Sequence, residues 1–131
     1  GEGPYPALLI SRATVIDGTG APPIGPVDIL IENNRIASLH PGGAPAAVRE
    51  RATRVIDATG MHVMPGFVDT HGHNGDPDKA PQPSYGYKLW LAHGVTSVRG
   101  VSFYFGPGSP DLSDAARSDA NTIAAPRLIP Y

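Results

Sequence analysis

The chain has 131 residues, a net charge of −2 and 17% charged against 40% apolar residues, a globular profile with no electrostatic reason to bind nucleic acid or an acidic membrane surface. Its apolar runs fall far short of the ~20 residues needed to cross a bilayer, and no basic region followed by an apolar run opens the amino terminus. Without cysteine, disulfides and thiolate metal sites are excluded, so histidine and carboxylate must carry any metal. The reading is a soluble protein whose compartment stays open, cytoplasmic or exported after signal cleavage, with residues 1–4 as a processing or domain-junction remnant.

Sixteen glycines and fifteen prolines fall between short apolar runs and act as punctuation. Residues 8–16 are strand-like, and 27–31 with 35–39 form a hairpin around Glu32-Asn33-Asn34, where asparagine tolerates a left-handed backbone. Residues 44–51 amount to a helical turn, and 53–56 and 61–64 are two more short strands. Together they make a small β-rich domain over residues 1–64.

Pro65-Gly66 breaks the chain, Phe67-Val68 begin a strand, and Asn74-Gly75-Asp76-Pro77 end it. Between them lies Asp69-Thr70-His71-Gly72-His73. Side chains alternate along a strand, so His71 and His73 share a face, with Asp69 behind them. Imidazole is a common ligand of zinc and related cations, and Gly72 leaves the backbone between the ligands free of bulk. Two imidazoles do not close a site on their own. They do sit at a strand's carboxyl end, the end that faces the active site in α/β barrels and open parallel sheets.

Residues 74–84 form a polar, proline-bearing segment, a candidate wall or lid over a substrate pocket. A helix is predicted over 85–93, with Tyr87, Trp90 and Leu91 on its packed face and Gly94 ending it. A buried strand follows at 95–98, then a weaker helix over 111–122 capped by Asp111 or Ser113, then a strand at 128–129. Strand, helix, strand, helix, strand is the parallel crossover pattern. His40 and His62 read as surface or packing residues, and His93 as a cation at a helix's negative end.

The stretch from Pro65 to His73 resembles the first barrel strand of the amidohydrolase superfamily, whose members carry Pro-Gly-[Phe/Leu]-[Val/Ile]-Asp-x-His-x-His. Residues 13–20 and 27–36 are similar to the short β-domain before that barrel, His93-Gly94-Val95-Thr96-Ser97-Val98-Arg99 to its second strand, and Ala125-Pro126-Arg127-Leu128-Ile129 to its third. The resemblance implies an α/β protein: the start of a (β/α)8 TIM-type barrel over residues 65–131, preceded by a small β-sandwich-like domain, with the barrel incomplete in this chain. Such a barrel needs roughly 250 residues, so the chain is expected to stop at a strand edge that a following strand would pair. Arg99-Gly100 departs from the family, where an aspartate often follows the arginine.

By the same resemblance, His71 and His73 are ligands of a divalent metal, zinc first, in a site of one or two ions; the position of Asp69 on the strand suits it equally to orienting a ligand histidine or to a strand-end hydrogen bond. The family's remaining ligands and its aspartate general base come from later strands, so the catalytic acid and base stay unassigned. The implied activity is hydrolysis of amide C–N bonds, non-peptide or dipeptide-like, by metal-activated water. The implied partners are a small-molecule amide substrate, the remaining barrel segment or chain, and a second copy in a homo-oligomer. Two other readings compete: a non-catalytic relative of the same fold acting by binding or oligomerisation, and an independent small metal-binding or interaction module.

Overall fold

In the computed structural model, residues 3–73, 83–100 and 110–130 are described. The chain divides into two compact units, Glu2–Pro65 and Gly66–Tyr131. The segment expected to wall or cover the pocket lies outside the described residues, except that its last two residues, Pro83 and Ser84, already belong to a helix.

The first unit holds β1 (Ala7–Val15), β2 (Ile24–Glu32), β3 (Arg35–Pro41), a single helical turn α1 (Ala46–Arg49), β4 (Arg54–Asp57) and β5 (His62–Val63). They form one five-stranded sheet in the order β3-β2-β1-β4, with β5 also on β1. The β2–β3 hairpin turns at Asn33 (φ 50°) and Asn34 (φ 61°), two successive left-handed residues of the kind that matches the twist of adjoining strands. Strand β1 serves two partners in turn: Leu8–Ser11 pair with β4 and Thr14–Val15 with β5, both parallel. The chain crosses between them through a turn in which Asp57 accepts the main-chain N–H (3.0 Å) and hydroxyl (2.6 Å) of Thr59. Ala13, Val15, Val27, Ile29 and Ala58 form the core, with Ile10, Ile31 and Val63 at its margin.

The middle of β1 is bulged, since Ile10 pairs with Ile29 but Ala13 with Val27, and Arg12 takes φ 62° there. Fully buried Asp28 holds the bulge. Its Oδ1 accepts from Ser11 Oγ (3.0 Å) and the Arg12 N–H (2.8 Å), and its Oδ2 from the Ala44 N–H (2.9 Å) and Arg49 Nη2 (2.6 Å). Burial pushes this carboxyl up, but those donors and the Arg49 charge outweigh it and hold Asp28 below its ordinary value. One side chain thus ties the bulge in β1 to the connection between β3 and α1.

The second unit runs β6 (Phe67–Gly72), α2 (Pro83–Ala92), β7 (Val95–Gly100), α3 (Pro110–Asp119) and β8 (Arg127–Pro130). Its strands are parallel in the order β6-β7-β8, as the alternating pattern implies. The α/β character is therefore observed directly. Helix α2 ends as expected: Gly94 takes φ 78° and donates to the Leu91 carbonyl (3.0 Å), and His93 Nδ1–H donates to the Leu89 carbonyl (2.8 Å). Of the three residues expected on its packed face, Tyr87 is buried and Trp90 half-buried, but Leu91 is exposed. Helix α3 starts one residue earlier than expected, at Pro110, a residue suited to a first helical position, so Asp111 and Ser113 fall inside its bounds rather than ahead of its first residue. The Tyr87 hydroxyl donates to Asp114 Oδ2 (3.1 Å), and Arg117 bonds Asp114 Oδ1 (2.9 Å), joining α2 to α3.

Candidate metal centre

The two histidines come from the end of β6, and the strand reaches that end by an irregular path. Phe67 pairs with Val95 and Gly72 with Gly100, but between them Val68 pairs with Ser97 and Asp69 with Val98. The register slips by one residue at Thr96 and slips back where Thr70 and His71 together oppose Arg99. A glycine marks each slip. A Cβ on Gly66 would overlap the Thr96 side chain, and one on Gly72 would lie 2.5 Å from Val98 Cγ1 and 3.1 Å from Trp90 Cζ2. Only glycine permits approaches this close.

Gly72 is buried against β7 and α2, while His71 and His73, one residue to either side, are exposed. Their Nε2 atoms converge to 3.2 Å, with ring centroids 5.0 Å apart and planes inclined by 64°. The same spacing lets one ring nitrogen donate a proton to the other. It also fits a shared cation, because two nitrogens about 2.0–2.1 Å from a tetrahedral zinc stand about 3.3–3.4 Å apart. Simple alternation would place Asp69 on the histidine face, but the bulge interrupts it. Asp69 Oδ1 accepts the main-chain N–H of His71 (3.0 Å), and its Oδ2 lies 3.3 Å from the position of a Cβ on Gly72.

Elsewhere the histidines serve local structure. His40 Nε2 bonds Ser38 Oγ (2.8 Å), His62 is exposed on β5, and His93 closes α2. Among the described residues no group of three or more His, Cys, Asp or Glu side chains converges. Reasoning from sequence missed the roles of Val98 and Trp90 beneath Gly72. The available signal was a glycine inside a strand, which marks a close approach of another group.

No family model matches the chain. The dihydroorotase of Elusimicrobium minutum is 38% identical over 92 residues, which cover 69% of this chain and 20% of that protein. The adenine deaminase of Klebsiella pneumoniae subsp. pneumoniae is 37% identical over 98 residues, 75% of this chain and 15% of that protein. Among solved structures, a prolidase complexed with N-methylphosphonate-L-proline matches with a TM-score of 0.64 at 25% identity, over 95% of this chain and 31% of that one. These are hydrolases and deaminases of one class, the metal-dependent amidohydrolases. The chain belongs to the amidohydrolase superfamily and spans about a fifth of the length of the dihydroorotase it matches.

Proposed function

We propose that this chain supplies the first metal-binding strand and the preceding β-domain of a metal-dependent hydrolase that cleaves amide C–N bonds in small molecules. The observation that carries the reading is the convergence of His71 and His73 Nε2 to 3.2 Å at the end of a strand in a parallel sheet. In this reading β6, β7 and β8 are the opening strands of a (β/α)8 barrel, and the small sheet of residues 1–64 belongs to a β-sandwich-like domain that precedes it in the chain. The relatives support the bond class, since dihydroorotase, adenine deaminase and prolidase all name reactions at carbon–nitrogen bonds.

His71 and His73 hold a divalent cation, with zinc the best match to two imidazole nitrogens. Such a cation, when bound, would lower the pKa of its water to near neutrality and polarise the scissile carbonyl. The chain's own contribution is geometric. Asp69 takes the His71 main-chain N–H and so fixes the backbone from which the ligand projects. The remaining ligands, the general base and the walls that choose a substrate are supplied by the rest of the barrel, within one protomer or an oligomer.

A panel of dipeptides, cyclic amides, N-acyl amino acids and aminopurines, offered to the complete protein that carries this chain, tests the reading. Hydrolysis should disappear on chelation and return with added zinc. Activity that survives complete removal of metal would overturn it.

A further inference from the structure

We propose that the seat formed by Val98 and Trp90 beneath Gly72 is a positioning device that sets the separation of the His71 and His73 ring nitrogens. The proposal rests on the metal reading above and names residues that touch no metal themselves. Gly72 lies midway between the two histidines in sequence and on the opposite face of the strand. Val98 is only 2% exposed, and the position of a Cβ on Gly72 is 2.5 Å from its Cγ1, so the valine has nowhere to withdraw. Trp90 Cζ2 bounds the same space at 3.1 Å. Main chain therefore rests directly on side chains from β7 and α2 at the point where β6 returns to its original register.

A glycine inside a strand weakens it and packs nothing, so its presence marks a need for close approach. The need lies at the histidines. Lifting the β6 main chain off its seat turns the adjacent peptide planes and carries the His71 and His73 rings with them. Asp69 secures the other side of the same bulge by holding the His71 N–H, and Gly66 admits Thr96 at the opposite end of the slip. The slip is thus fixed at both ends, with the ligand pair at one of them.

The test uses the complete protein and cobalt(II), whose visible spectrum reports ligand geometry. Gly72→Ala should weaken cobalt and zinc affinity by about 10- to 100-fold, the range for residues that orient ligands indirectly, and should shift the cobalt bands. Adding Val98→Ala to Gly72→Ala frees the space that the new methyl group needs and should restore both affinity and spectrum toward the parent. Wild-type affinity with unchanged bands in Gly72→Ala would overturn the proposal. So would weakened binding that Val98→Ala fails to recover. Should Gly72→Ala not fold, Trp90→Phe removes the Cζ2 edge of the seat and should shift the bands, and an unchanged spectrum in that folded variant is equally fatal. Retention of metal after replacing both His71 and His73 by alanine would instead refute the ligand assignment, which keeps the two failures distinguishable.

Discussion

Asp28 shows how much of this chain depends on one buried charge. Four donors converge on it: a hydroxyl, two main-chain N–H groups and a guanidinium. Replacing it by asparagine turns an acceptor into a donor facing donors, and we expect a loss of about 1–3 kcal/mol in urea unfolding, the range for leaving buried donors unsatisfied, since Arg49 itself is 45% exposed and stays solvated. The pH dependence has a definite sign. A carboxyl held below its unfolded value of about 3.9 contributes fully above that pH, and its contribution is lost as pH falls through the lower folded value. Asp28→Asn should therefore unfold with a shallower acid slope. Part of the slope remains, because hydroxyl and main-chain donors of Thr19 and Thr59 also hold Asp17 and Asp57 low. An acid slope as steep as the parent's would contradict this. The residue was visible in advance as an acid inside Val27-Asp28-Ile29-Leu30-Ile31, but its partners were not, because Ser11, Arg12, Ala44 and Arg49 lie 16 to 21 residues away along the chain.

Most elements were legible because their signals are local. The asparagine turn, the glycine after α2 and the apolar runs each constrain only neighbouring residues, and the strands fall within a few residues of their expected bounds. The register slip in β6 was not legible, since it is decided by contacts of Gly66 with Thr96 and of Gly72 with Val98. Nor was the link between α2 and α3, where buried Tyr87 meets buried Asp114 across an unremarkable run of sequence. Tyr87→Phe keeps the ring and removes only the hydroxyl, leaving Asp114 with Arg117. We expect it to cost about 1–2 kcal/mol, and a double-mutant cycle with Asp114→Asn should show coupling of the same sign. Independent, additive losses would show that the bond carries no stability.

At the scale of the whole molecule, each unit leaves large apolar side chains in contact with water. Phe67, Val68 and Ile129 are 57%, 61% and 44% exposed on the strands of the parallel sheet, and Ile36, Val55 and Met61 are exposed in the first unit. Surfaces of this kind mark sites of association. The 131-residue chain on its own should bind a hydrophobic dye, self-associate as its concentration rises and show no C–N hydrolysis, as judged by fluorescence and light scattering. A clean monomer that hydrolyses amides, with activity lost on His71→Ala, would show the catalytic machinery to be complete within it. That His71 and His73 face each other was legible in sequence, because alternation puts residues two apart on one face, but the bulge beneath them was not. The rest of the site was not, because among the described residues no group of three or more His, Cys, Asp or Glu side chains converges.

The most direct test is metal analysis of the complete protein before and after replacing His71 and His73 together by alanine. The parent should carry at least one equivalent of a divalent cation, zinc foremost, and the folded double variant should lose the metal that the pair holds. Full stoichiometric metal in that variant would contradict the assignment of the pair as ligands.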